Sequence, residues 1–245
     1  VVMIPNTPTE HDSVIAENYL TTSKFRASGY DGFMQQYVFM GRDRIIKYEN
    51  INHDVASFLE LLSVSAHSIN KFIKRSHERK NTIGVWGDGN VGFITALILK
   101  KQFPESKIIV FGKNEEKLSF FSFVDETYQI DSIPEDLRVD HAFEAVGGKA
   151  SEYAIDQLID YINPEGSIAI LGVSENPVPI NTRMVLEKGL TIVGSSRSGR
   201  VDFQYAVDFL EAHPDAQNQL QKLISAVIDV KGMEDIVKAF EYDLT

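Results

Sequence analysis

Hydrophobic and polar positions along this 245-residue chain follow two patterns that meet near residue 76. Beyond that point, short apolar runs alternate with segments whose apolar residues recur every three or four positions. The runs 83–86, 107–111, 126–130, 139–145, 166–171 and 190–195 predict six strands. Between them, 91–103, 115–121, a segment ending at Tyr161, and 182–188 predict helices. Such alternation predicts an α/β fold, a doubly wound parallel sheet with helices on both faces. Its ligand would lie across the carboxyl ends of the strands.

The first 76 residues read differently. A strand is predicted over 1–5, stopped by Pro5, then a short helical stretch over 13–19 and a turn over 27–32. Two more strands, 33–40 and 44–48, complete a small β-rich region. Val55, Phe58, Leu59, Leu62, Ala66, Ile69 and Ile73 then predict one or two amphipathic helices over 54–74. A polar loop, 76–81, leads into the first strand of the alternating part. At the other end, helices are expected over 203–212, 215–226 and 233–242, with a short strand over 226–230.

The junction of that first strand with its helix carries Gly87-x-Gly89-x-x-Gly92. Strand, glycine turn and helix in this order are the context of a dinucleotide-binding fingerprint. Gly87 would permit the tight turn, Gly89 would let the backbone approach a pyrophosphate, and Gly92 would let helix and strand pack closely. Asn90 and Val91 open the helix, whose free N–H groups and dipole would face the phosphates. Asp88 places an anion beside an anion, which is tolerable when its side chain points to water.

In an NAD site the second strand ends in an acid that hydrogen-bonds the ribose hydroxyls. Here it ends in Phe111-Gly112-Lys113-Asn114, with no acid at the turn. Gly112 would leave room and free N–H groups, and Lys113, with Lys117 nearby, would supply positive charge. This favours NADP(H); the alternative is a solvated surface lysine beside a turn glycine.

Composition narrows the field. Hydrophobic residues at 43% and charged residues at 24% are those of a globular chain. A net charge of −11, with no basic block, argues against nucleic acid and against anionic membrane surfaces. No apolar run nears the roughly 20 residues needed to span a bilayer, and no signal peptide is visible. With no cysteine, disulfides and thiolate metal sites are excluded within the chain. The nucleotide site makes the cytoplasm the default location. An opening strand with nothing before it leads us to expect a piece of a longer protein. The six histidines show no metal-ligand spacing; His67, one or two turns from Glu60, is the one singled out. Arg197 and Arg200 could meet a phosphate or be surface arginines in a Ser/Gly loop.

Five stretches in order resemble the medium-chain zinc-dependent alcohol and polyol dehydrogenases. They are 28–33, 59–64 with His67, 87–92, 143–148 and 166–173. Residues 5–10, 86–90 and 193–199 carry a closer likeness to the ribulose-5-phosphate reductases (ribitol-5-phosphate dehydrogenases) of teichoic-acid synthesis. The resemblance implies a dinucleotide-binding domain over 64–196. It also implies a partial, discontinuous β-rich GroES-like catalytic domain over 1–63 and 197–245. It implies NADPH-dependent reduction of D-ribulose 5-phosphate to D-ribitol 5-phosphate, which a cytidylyltransferase converts to CDP-ribitol. Val146, Leu171, Gly172, Val173 and Ser195 would line the nicotinamide pocket.

A catalytic zinc is implied in the intact protein, acting as a Lewis acid. Of its surroundings only Glu60 is present, and outside the resemblance Glu60 reads as an ordinary helix-flanking glutamate. One carboxylate does not make a zinc site, which needs about four ligands, so the chain alone is expected to be inactive. A homodimer joined through the sixth strand is also implied. Two other readings stand beside this one: another polyol or sugar dehydrogenase, and a non-catalytic NADP(H)-binding redox sensor.

Overall fold

The alternating part folds as its pattern predicts, in a computed structural model that describes residues 1–243. The N-terminal strands are very short: β1 (Val2–Met3), β2 (Asn6–Thr7), β3 (Lys24–Arg26), β4 (Gly29–Tyr30) and β5 (Ile45–Ile46). β1 pairs antiparallel with β5, and β2, β3 and β4 form a second small sheet. Helices α1 (His53–Ala56) and α2 (Leu59–Ile73) follow. The Asn52 side chain caps α1 by accepting the Asp54 and Val55 amides, which satisfies two orphan donors at its start.

Then come β6 (Thr82–Trp86), α3 (Asn90–Gln102), β7 (Lys107–Gly112), α4 (Glu115–Ser119), β8 (Glu126–Gln129) and β9 (Val139–Glu144). The series continues with α5 (Ser151–Tyr161), β10 (Ile162–Ile170), α6 (Thr182–Lys188) and β11 (Thr191–Gly194). Three helices close the chain: α7 (Arg200–Ala212), α8 (Pro214–Gln221) and α9 (Met233–Asp243). The six strands pair in parallel in the order β11-β10-β9-β6-β7-β8. Strand order reverses between β6 and β9, and the crevice at such a switch point is where an open parallel sheet takes its ligand.

Period-2 alternation sorts the core into two layers. Ile83, Val85, Ile108, Val110 and Phe143 pack on one face with α2, α3 and α7. Trp86, Ile109, Phe111, Val139 and Ala142 pack on the other with α5. Every residue of β9 is buried, as expected for a strand covered by helices on both sides. The first layer extends through α1 and α2 to Ile4 and Ile46, so the N-terminal region is anchored to the same core.

Several expectations are corrected here. Residues 33–40 form no strand; Met34, Tyr37 and Phe39 are 75%, 78% and 88% exposed. Among the described residues they meet no partner edge, and a strand without one leaves its backbone groups to water. For the same reason 44–48 shrinks to β5, and 226–230 is irregular. The opening run keeps only β1, with β2 starting just beyond Pro5, and the helix expected over 13–19 is a single 3₁₀ turn at Glu17–Tyr19. Helix 215–226 stops at Gln221. The amphipathic stretch 54–74 resolves into two helices.

Candidate functional site

Three glycines shape the crevice at the switch point, each through a different constraint. Gly87 has φ +135°, and a Cβ there would come within 2.7 Å of the Ala145 carbonyl oxygen. A Cβ on Gly92 would sit 2.0 Å from the Gly87 carbonyl oxygen, so the first turn of α3 is pressed against the loop. Around Gly89 nothing lies within 4 Å of that position, which leaves the backbone open to an incoming group. Among the described residues no side chain caps the start of α3, and no acid stands in its first turn. Its leading amides and the positive end of the helix therefore remain available to an anion.

A cavity of about 730 Å³ opens beside this turn, lined by Trp86, Gly87, Asp88, Gly112, Lys113 and Val146 among others. Asp131, Asp156 and Asp160 line it too, so the positive charge there comes from Lys113 and the start of α3. The ammonium of Lys113 makes no ion pair with any described residue.

Asp88 does not simply point to water. Its Oδ2 accepts the backbone amides of Lys113 and Asn114, both at 2.8 Å. The N–H groups expected to be free after β7 are thus already taken, and the room expected at Gly112 is filled. A Cβ on Gly112 would lie 2.6 Å from that of Asp88. The missing acid at the end of β7 has a local cause: the aspartate of the glycine turn occupies its space.

At the other end of the crevice the turns after β9, β10 and β11 come together. Val146 and Val173 are exposed there, whereas Leu171 and Ser195 are buried. The Ser195 amide donates to the Ile170 carbonyl at 2.9 Å, but its hydroxyl is buried without a hydrogen-bond partner among the described residues. A buried orphan hydroxyl is costly unless a ligand or water satisfies it. The residues predicted for the nicotinamide pocket are therefore neighbours in space, with an unused polar group among them.

Sequence reasoning assigned no role to Glu144, the last residue of β9, which is fully buried. Its Oε1 accepts the Val146 amide at 2.9 Å, the Gly147 amide at 3.1 Å and the Ser151 hydroxyl at 2.9 Å. Its Oε2 accepts the Gly172 amide at 3.0 Å. An acid at the carboxyl end of a predicted strand, three residues ahead of a glycine pair, was the available signal.

Glu60 stands in the first turn of α2. Solvent reaches the residue, yet the protein around it desolvates the carboxyl and raises its pKa above the ordinary carboxylate value. No cluster of three or more metal-ligating side chains exists among the described residues.

His67 lies on the same helix but is occupied elsewhere. Its Nδ1 is 3.0 Å from Asp202 Oδ2, and its Nε2 is 3.1 Å from the Tyr19 hydroxyl. This clamps α2 to α7 beside a second cavity of about 620 Å³. Arg200 is likewise structural, donating to the carbonyls of Asp43 and Ile45. Arg197 has φ +61° and lays its guanidinium 4.4 Å from the centre of the Phe25 ring.

A parallel sheet with this strand order and a glycine turn at its switch point has the architecture of a dinucleotide-binding domain. The family model for the glucose dehydrogenase C-terminus matches residues 53–244. A ribulose-5-phosphate reductase of Bacillus spizizenii is 55% identical over the whole chain, which spans 72% of that protein. Ribulose-5-phosphate reductase 2 of Staphylococcus aureus is 56% identical over the whole chain, again spanning 72%. The crystal structure of S. aureus TarJ in complex with NADPH superposes with a TM-score of 0.84 at 54% identity. It covers 87% of this chain and 68% of its own. The chain belongs to the ribulose-5-phosphate reductase family.

Proposed function

We propose that the chain supplies the cofactor-binding part of an NADPH-dependent reductase. Its reaction is the reduction of D-ribulose 5-phosphate to D-ribitol 5-phosphate for CDP-ribitol and teichoic-acid synthesis. The open, uncapped start of α3 beside Gly89 carries the cofactor half of this reading. The substrate half is supported by the 55% identity to a ribulose-5-phosphate reductase.

In this reading the amides of Gly89, Asn90, Val91 and Gly92 hold the pyrophosphate, and Lys113 beside Gly112 meets the 2′-phosphate. Val146, Leu171, Gly172, Val173 and Ser195 position the nicotinamide, with the orphan Ser195 hydroxyl supplying a polar contact. When bound, the reduced cofactor supplies a hydride. Residues 64–196 form the dinucleotide-binding domain, and 1–63 with 197–245 contribute to the catalytic domain. Glu60 belongs near the metal of the intact enzyme, whose other zinc ligands lie outside the described residues. β11, one of the two outer strands of the sheet, is the surface for a homodimer. The cytidylyltransferase that takes the product is the partner in sequence of reaction, and the cytoplasm is the location. No described helix is long and apolar enough to cross a membrane.

Titration of the chain with NADPH and with NADH, followed by nicotinamide fluorescence, tests the cofactor. Tighter binding of NADPH is expected, and a preference for NADH overturns the assignment. Without further zinc ligands the chain should not turn over ribulose 5-phosphate. Zinc-dependent consumption of NADPH by the chain alone would refute that part.

A further inference from the structure

The buried Glu144 has no place in the proposed chemistry, yet it joins the two turns between which the nicotinamide is proposed to sit. Its carboxylate receives four hydrogen bonds, three on Oε1 and one on Oε2. Those on Oε1 come from the turn after β9 and the start of α5. The one on Oε2 comes from Gly172, in the turn after β10. The Gly172 amide is shared, reaching the Glu144 carbonyl as well at 3.2 Å.

Steric fit locks the same arrangement. A Cβ on Gly172 would lie 2.4 Å from Glu144 Oε1 and 2.4 Å from the Gly147 amide nitrogen. Gly147 and Gly148 hold φ of +70° and +58°, in the region that favours glycine. The Gly148 amide donates to the Val173 carbonyl at 2.7 Å, and the Ser174 hydroxyl to the Gly148 carbonyl at 2.6 Å. Two loops from different strands thus converge on one side chain.

Amide donors fix a buried carboxylate strongly, because each bond is charge-assisted and water cannot replace it. The converse holds as well, so the carboxylate fixes the backbone that donates to it. We propose that Glu144 is a positioning residue for the nicotinamide end of the cofactor. It sets the spacing between the Val146–Gly148 turn and the Gly172–Val173 turn without touching the ligand. This rests on the cofactor reading above.

Glutamine at this position keeps the shape but can accept with only one atom. With its oxygen left facing Val146, Gly147 and Ser151, its NH₂ would oppose the Gly172 N–H. The β10 side of the clamp would then open while the β9 side stays closed.

The test is a pair of titrations on the wild-type chain and on Glu144→Gln, with NADPH and with adenosine 2′,5′-bisphosphate. The second ligand carries only the adenosine half. The variant is expected to bind NADPH about tenfold more weakly, the scale of one charge-assisted hydrogen bond, and the bisphosphate as wild type does. Equal NADPH affinities overturn the proposal. Parallel loss of both ligands overturns it too, since that is the mark of general damage. A wild-type chain that binds neither ligand overturns the cofactor reading and this inference with it. Should Glu144→Gln lose cooperative unfolding, Ser151→Ala removes one of the four bonds and carries the same comparison. A selective weakening of NADPH supports the role, and unchanged NADPH affinity overturns it.

Discussion

The sheet crevice and the N-terminal β-rich region use similar sequence material and end in different states. Residues 139–144 and 33–40 are both short strand-like runs. The first is buried throughout as β9, whereas the second is irregular and leaves Phe39 88% exposed. The difference lies in the neighbours. β9 sits between β6 and β10 and under helices on both faces. Residues 33–40 find no edge to pair with among the described residues. A β-pattern is a statement about half an interface, and the other half decides whether it becomes a strand.

The sharpest contrast comes from truncating one aromatic in each region. Phe143→Ala should cost about 3–5 kcal/mol, because it leaves a cavity in a core strand. Phe39→Ala should stay within about 0.5 kcal/mol. Denaturant unfolding of both variants checks this, and equal losses would erase the distinction between the regions.

Within the crevice, Gly92→Ala drives a methyl toward the Gly87 carbonyl and should destabilise by about 3 kcal/mol, as overpacking does. Gly89→Ala meets open space, so its thermal midpoint should hardly move. NADPH affinity should nevertheless fall at least about tenfold, since the methyl enters the path of the pyrophosphate. A Gly89→Ala chain that binds normally would remove Gly89 from the site.

The buried sheet also predicts a pH response. His141 on β9 donates Nε2–H to the Arg79 carbonyl at 2.9 Å and accepts the Ser167 amide on Nδ1 at 3.1 Å. It is thereby held neutral. Burial, aided by the positive neighbours His77 and Lys80, lowers its pKa from 6.5 to about 4. The unfolded chain takes up this proton near pH 6.5 and the folded chain only near pH 4. Stability from this group is therefore intact above pH 6.5 and is lost as pH falls toward 4, by up to about 3 kcal/mol. The thermal midpoint of wild type should fall across that interval, and His141→Gln should flatten the slope. A midpoint that holds between pH 6.5 and 4.5 would contradict the assignment.

The smallest effect concerns specificity. Lys113→Ala should weaken NADPH by about tenfold while leaving NADH nearly unchanged, on the scale of one phosphate contact. An equal loss for both cofactors would make Lys113 a general electrostatic contributor rather than a reader of the 2′-phosphate.

Much of the sheet and the outline of the crevice were legible because periodicity, glycine spacing and strand–helix order are local signals. Gly87, Gly89 and Gly92 could be placed on a turn from their neighbours alone. Asp88 could not be placed, because its partners Lys113 and Asn114 are distant in sequence and close only across the β6–β7 edge. The link from Glu144 to the turn after β10 was hidden for the same reason, since Gly172 approaches it only when β9 and β10 pair. His67 and Arg200 looked like candidates until their partners on other elements were seen to occupy them.

The sequence by itself determined the doubly wound sheet, the switch-point glycine turn and the lack of an acid after the second strand. Each depends on residues within about one helical turn or one strand of each other. Tertiary structure alone decided which strand patterns found partners, which amides stayed free, and which buried carboxylate joined the turns above the sheet. Those outcomes depend on long-range pairing, where a polar group's cost or use is fixed by what the fold brings within hydrogen-bonding distance.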